Sequence, residues 1–125
     1  MAEIHLMDSD IIISETDSKG TITFANDTFI KFSGFTKDEL IGKPHNILRH
    51  SDMPKAAFAD LWQTLKDGKT WNGFVKNRTK NGDFYWVYAT AAPVTAADGS
   101  KRYISLRTKP SRAEVEKYDA LYKTM

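Results

Sequence analysis

The chain has 125 residues, of which 41% are apolar and 27% charged, and this length fits one domain with its own core. A formal net charge of +2, with lysines and arginines scattered among acids, argues against a nucleic-acid surface, and no apolar run is long enough to span a membrane. There is no cysteine, which excludes disulfides, thiolate chemistry, cysteine-ligated metals and any cysteinyl–cofactor bond, and fits a reducing compartment.

The opening MAEIHLMDSD lacks the apolar core of a signal peptide, and residues 1–9 read as a cap segment ahead of the domain. Asp10 to Glu15 (DIIISE) is a short apolar run that ends at the turn cluster Asp17-Ser18-Lys19-Gly20. Thr21 to Ala25 (TITFA) alternates, so the two predict a hairpin. Asn26 or Asp27 caps a short helix with Phe29, Ile30, Phe32 and Phe35 on its apolar side and Gly34 as its stop. Thr36 to Glu39 has the form of a capping box for one more turn, closed by Gly42 and Pro44. Asn46 to Met53 reads as irregular or short-helical. Pro54 then opens a helix to Lys66, with Asp52 as its cap and Phe58, Leu61, Trp62 and Leu65 as its stripe.

Thr70 to Val94, TWNGFVKNRTKNGDFYWVYATAAPV, is the most informative stretch. It predicts two strands joined at Asn81-Gly82, a pair suited to the two positive-φ positions of a two-residue turn. Trp71, Val75 and Asn77 fall on one side, and Phe74, Lys76 and Arg78 on the other. Past the turn, Tyr85, Val87 and Ala89 alternate with Phe84, Trp86 and Tyr88. The hairpin thus brings together aromatic rings, the amide of Asn77 and the small Ala89, Ala91 and Ala92, a combination that suits a planar heteroaromatic ligand. Trp71 and Trp86 also read as plain core or sheet-face aromatics, with Trp86 pointing outward. Asp98-Gly99 is a further turn, and Tyr103 to Thr108 (YISLRT) a last strand. Ile104 and Leu106 look like its buried side, which leaves Arg107 as either an inward cation or a solvated sheet residue. Ser111 caps a final helix carrying Val115, Tyr118, Leu121 and Tyr122.

Two strands, several short helices, one longer helix and three strands predict an α+β layer. A five-stranded antiparallel sheet has the helices on one face and a cavity between the layers. This order, with DSKGTITFANDTFIKFSGFTKDELIGKPHNILRHSDMP and WNGFVKNRTKNGDFYWVYATAAPV, resembles a PAS domain over residues 10–110. On ANDTF, PHNILRHSDMPKAAFADLW and WNGFVKNRTKNGDFYW it resembles, more narrowly, the PAS sensor of bacterial aerotaxis receptors. The resemblance implies a non-enzymatic, cytoplasmic sensory module, in a parent receptor that is itself open to membrane anchoring. Such a module holds flavin adenine dinucleotide (FAD) without a covalent bond and reports redox or oxygen-linked state for aerotaxis signalling. Residues 111–125 would be an output or linker helix towards a downstream signalling segment or partner domain of a chemoreceptor, with a homodimer as a further option. The domain itself would touch neither nucleic acid nor membrane.

The resemblance also assigns residues. Asn77, after a WxG pattern at Trp71 to Gly73, matches an asparagine that pairs with the flavin edge. Arg49, His50 and Asp52 match a cluster that matters for holding the dinucleotide, and a guanidinium fork and a helix start both suit phosphate. His45 and Asn46, which open that segment, are further candidates. His45 stands where photosensory flavin PAS domains carry the adduct-forming cysteine, although a loop histidine is the plainer reading. Arg107 stands where they carry a glutamine, and Val87 where they often carry a second asparagine. Asn26 reads mainly as a helix cap, with ligand contact as its second role. The chain carries no G-x-S-x-G, P-loop or H-E-x-x-H pattern and no metal-ligand spacing. Two alternatives to the flavin sensor stand: an interaction module whose cavity is filled by its own rings, and a haem or small-metabolite sensor using His45 or His50.

Overall fold

The alternation at the start of the chain forms β1 (Ile12–Asp17) and β2 (Ile22–Ala25), an antiparallel pair in the computed structural model, which describes residues 2–125. The Asp17 carboxylate accepts from the backbone N–H of Lys19 and Thr21 at 2.9 and 3.0 Å, and Gly20 takes a φ of 87° that an L side chain resists. β1 starts two residues later than the sequence implies. Asp10 instead closes a turn, accepting from the Met7 N–H at 2.7 Å.

Asn26 caps α1 (Asp27–Ser33), and Gly34 ends it in the left-handed region at φ 74°. Thr36 and Glu39 close both bonds of a capping box around α2 (Lys37–Leu40). A 3₁₀ turn spans His45–Leu48, and α3 spans Lys55–Lys66. Pro54 is the N-cap of α3 and no side chain caps it, so Asp52 does not have the expected capping role; its carboxylate goes to Lys76 at 2.7 Å. The chain ends with β3 (Trp71–Arg78), β4 (Phe84–Thr95), β5 (Lys101–Thr108) and α4 (Arg112–Tyr122).

The five strands form one sheet in the order β2-β1-β5-β4-β3, each neighbouring pair antiparallel. The β3–β4 turn differs from the expected two-residue type. Gly82 alone takes positive φ (92°), and the loop runs from Thr79 to Asp83, with the Gly82 N–H on the Thr79 carbonyl at 3.1 Å and the Thr79 N–H on the Asp83 carbonyl at 2.8 Å. Asn81 contributes through its side chain instead. Its amide oxygen accepts from the Thr79 hydroxyl at 2.5 Å and from the Asp83 N–H at 3.2 Å, which removes any need for a left-handed backbone.

One end of the inner sheet face is solid: Tyr85 and Val87 pack with Ile12, Ile22, Phe29, Phe32, Leu40 and Leu48. The short helices and α3 cover this face, as expected, but α4 does not join them. It lies on the outer face, where Val115, Tyr118 and Tyr122 pack on Phe74, Phe84, Trp86 and Tyr88. The Phe74 and Tyr118 rings stack at 4.5 Å, and the Tyr122 hydroxyl donates to the Phe74 carbonyl at 2.7 Å. The N-terminal segment runs beside the start of β4: the Ile4 N–H donates to the Phe84 carbonyl at 2.8 Å, and Leu6 is buried in the core. Among the described residues no helix is long and apolar enough to cross a membrane.

Candidate ligand cavity

Beyond the solid end of the core, the sheet and α3 separate around a cavity of about 370 Å³, within the ~300–1,000 Å³ range of small-molecule sites. The space arises because the inner-face residues there are small. Ala89 and Ala91 on β4 leave it open, and Phe58, Leu61, Trp62 and Leu65 of α3 roof it. The roofing stripe is the one read from helical spacing, and its far end packs on Tyr103, with the Trp62 and Tyr103 rings 5.6 Å apart.

The inner wall is polar and positively charged. Arg107 is 3% exposed and points inward, whereas Leu106 is 42% exposed. The expectation that Ile104 and Leu106 form the buried side of β5 is therefore overturned. β5 is a central strand in register with two neighbours, and Arg107 pairs with Ile12 on β1 and Ala89 on β4, both buried inner-face positions. Tyr103 and Ser105 share that side.

The Arg107 guanidinium lies 4.8 Å from the Phe29 ring centroid, its Nη2 donates to the Ser14 hydroxyl and stands 3.2 Å from His45 Nε2, and its Nε has no partner. Ser14 Oγ and His45 Nε2 are 3.1 Å apart, and because a guanidinium can only donate, Nε2 accepts from Arg107 Nη2 and the neutral ring carries its proton on Nδ1. Burial lowers Arg107 to about 10, which leaves it charged at neutral pH. Burial first, and then the Arg107 charge, lowers His45 to about 3. Among the described residues, no aspartate or glutamate lines the cavity. Arg107 is a buried cation with no buried anion, a costly arrangement in the absence of a ligand.

Asn77 is buried on β3 and lines the cavity. Trp71 shares its side of the strand. Its indole folds back across Gly73, so closely that a Cβ on Gly73 would stand 2.4 Å from the ring, and its Nε1 donates to the Asp60 carboxylate of α3 at 2.9 Å. Arg49 and Asn46 also border the cavity, with the Arg49 guanidinium 4.2 Å from the Phe58 ring centroid.

The remaining candidates lie elsewhere. Asn26 spends its side chain on backbone, accepting from Phe29 and Ile13 N–H groups and donating to the Ile11 carbonyl. It is a cap outside the cavity wall. His50 and Asp52 sit past the edge of β3, on the side of Phe84: the His50 ring meets Phe84 edge-on at 6.0 Å, and Lys76 Nζ lies 4.5 Å from the Phe84 centroid. The chain crosses the sheet edge between Arg49 and Asp52, which separates a cluster that is contiguous in sequence. The Lys76 hydrogen bond holds Asp52 below the usual carboxylate range, and burial pushes His50 down. Trp86 faces outward, stacked on Tyr122 at 6.2 Å.

Lys76 is itself only 8% exposed. Asp52→Ala should therefore cost about 1–2 kcal/mol of stability in urea unfolding, more than an exposed pair loses, because it strands a buried ammonium.

Sequence reasoning missed the hydroxyl row Ser14, Thr16 and Ser105, although the alternation of IISET already puts Ile12, Ser14 and Thr16 on one face. It also missed Lys19, Asp60 and the tyrosine Tyr85. The Tyr85 hydroxyl is buried on the strand position opposite Asn77, and burial raises it to about 12 against smaller opposing effects of the Arg107 charge and the Asn77 amide.

A sequence model of the PAS fold matches residues 22–107. The chain belongs to the PAS fold family. As a PAS domain it is 51% identical over 120 residues to the aerotaxis receptor of Escherichia coli K12, covering 96% of this chain and 24% of that protein. It is 34% identical over 86 residues to the biofilm dispersion protein BdlA of Pseudomonas aeruginosa, covering 68% of this chain and 21% of that protein. Against the nitrogen fixation regulatory protein of Klebsiella pneumoniae it is 29% identical, over 78% of this chain and 20% of that protein. The chain thus spans about a quarter or less of these relatives. Among solved structures, the RsLOV d2 variant superposes with a TM-score of 0.72 at 23% identity, over 90% of this chain and 66% of that one. A light-oxygen-voltage domain studied with a flavin analogue superposes at 0.73 and 19%, over 91% of this chain and 86% of that one. These share the fold.

Proposed function

We propose that this PAS domain is the cytoplasmic sensory module of an aerotaxis-type receptor and binds flavin adenine dinucleotide non-covalently to report redox state. The reading is carried by one observation: a small-molecule-sized cavity whose wall presents a buried cation with an unpartnered N–H and the amide of Asn77, in a chain 51% identical to an aerotaxis receptor. Two features support the fit to a flavin. A planar heteroaromatic ring with carbonyl and imide groups along one edge needs fixed donors and an acceptor there; Arg107 Nε is without a protein partner, and the Asn77 amide offers both on the same cavity. It also needs flat apolar walls, which Trp71, Val75 and the two alanines offer.

A bound flavin supplies a centre that takes up and returns electrons. The protein's own part is positional and electrostatic. Ser14 and His45 hold the Arg107 guanidinium in place, so its charge is fixed before any ligand arrives. A more negative ligand draws more strongly on that charge, which biases β5, and the Asn77 amide responds on β3. On the outer face α4 is docked on Phe74 of β3 and on Trp86 of β4, the strand paired with both β3 and β5. A downstream receptor segment following α4 would receive the change if the two redox states favour different placements of these strands. Arg49 and Lys19 add two cations on the same cavity for a diphosphate.

Haem ligation is disfavoured by geometry, since His45 Nε2 is engaged by Ser14 and Arg107 and His50 lies outside the cavity. The test is the visible spectrum of the purified protein, with mass analysis of what denaturation releases. Flavin bands and a released adenine dinucleotide are expected. A colourless protein that takes up no added FAD overturns the reading.

A further inference from the structure

We propose that Asp60 is a positioning residue that latches α3 to the sheet through the Trp71 indole and so sets how fast a ligand leaves the cavity. The proposal rests on the flavin reading only for its choice of probe. α3 is the roof of the cavity, held to the sheet mainly by apolar packing of Leu61, Trp62 and Leu65 on Ala91 and Tyr103. Apolar packing fixes depth but is tolerant of sliding, whereas a hydrogen bond fixes a point. Among the described residues, the Trp71 Nε1–H to Asp60 bond at 2.9 Å is the one side-chain hydrogen bond between α3 and a strand.

The indole is also constrained from below. It occupies the space over Gly73 that any Cβ would fill, with a contact of 2.4 Å. The register places Gly73 opposite Ala89 and Trp71 opposite Ala91, so small residues make the bed on which the ring lies. Trp71 thus has one flat seat on the sheet and one tether to the roof. A planar ligand between sheet and α3 leaves when the roof lifts, and lifting it breaks this bond. Asp60 itself is exposed and does not line the cavity. Its effect on a ligand passes through Trp71.

The experiment measures FAD dissociation from the parent and from D60A, D60N, W71F and the double variant D60A/W71F, with indole N–H exchange of Trp71 followed in the ligand-free parent and D60A. D60A is expected to release FAD roughly ten- to a hundredfold faster, the range for losing a hydrogen bond to a charged acceptor. D60N keeps an acceptor oxygen and should stay within about threefold of the parent. W71F keeps a ring but no donor, so it should match D60A, and the double variant should be no faster than either single. An unchanged rate in D60A, or multiplicative rates in the double variant, overturns the latch. If the parent takes up no FAD, the flavin reading fails separately, and indole exchange decides the latch alone: protection lost in D60A supports it, and protection retained refutes it.

Discussion

Arg107→Met is expected to raise the melting temperature of the ligand-free domain while weakening its hold on FAD at least tenfold. The two effects have one cause. In the ligand-free protein the guanidinium is almost fully buried with no carboxylate beside it and one N–H unpartnered. Replacing buried charge with an apolar side chain of similar length gains about 1–4 kcal/mol in comparable cases. Losing the cation–π contact with Phe29 returns about 0.5–2 kcal/mol of that. Ser14 and His45 stay satisfied because they already bond to each other. Each net kcal/mol corresponds to roughly 3–6 °C in a domain of this size. The affinity loss follows from removing the one fixed cation buried in the wall. Calorimetry of both ligand-free proteins and fluorescence titration with FAD check the pair. A variant that melts lower and binds FAD as the parent does would make Arg107 a structural residue and remove it from the site. Gains in stability at the expense of binding are the expected mark of a functional position.

The sequence pattern made the sheet, the helix caps and the roofing stripe legible because each is a local signal. Asn26, Thr36–Glu39 and Ser111 announce helix starts by chemistry that acts within three residues. Phe58, Leu61, Trp62 and Leu65 declare a face by spacing alone. Where the reading failed, the deciding fact lay on another strand. On hydropathy, Ile104 and Leu106 outrank Arg107 for burial. The order of strands, with β5 between β1 and β4, chose the side, and that order is set by contacts between residues some 90 positions apart.

The candidate site shows the same limit. Arg49, His50 and Asp52 are neighbours in sequence, but the edge of β3 passes between them, and only Arg49 borders the cavity. Gly73 has an ordinary backbone, so neither turn chemistry nor φ marks it. Its role appears only when the Trp71 ring is seen lying across it. The family resemblance carried the positions of Asn77 and Trp71 further than spacing did, while the hydroxyl row on β1 and the Asp60 tether had no signal beyond the alternation of a strand and one acid on a helix.

His45 should make the ligand-free domain unusually sensitive to mild acid. It is half-buried on the cavity wall and neutral, and its folded value of about 3 lies well under the ordinary 6.5. Between those values the unfolded chain takes up a proton that the folded chain refuses. Stability is therefore full above about pH 6.5 and falls as pH drops, by about 1.4 kcal/mol per unit, until the folded histidine itself titrates. From pH 6.5 to 4.5 the loss is roughly 2–3 kcal/mol, a large share of the ~5–15 kcal/mol that holds a domain together. His50 is pushed down as well, chiefly by burial, and adds a contribution of the same sign. Ordinary carboxylates titrate mainly below this window, so the histidines dominate it. His45→Gln keeps an acceptor for Ser14 and Arg107 but cannot titrate, and should flatten most of the slope, leaving the share that His50→Gln then removes. Urea unfolding of the three proteins at half-unit pH steps measures each part. A parent curve that is level from pH 6.5 to 4.5 would mean that His45 is protonated in the folded state, and a second positive charge against Arg107 would then need an anion that the cavity wall does not contain.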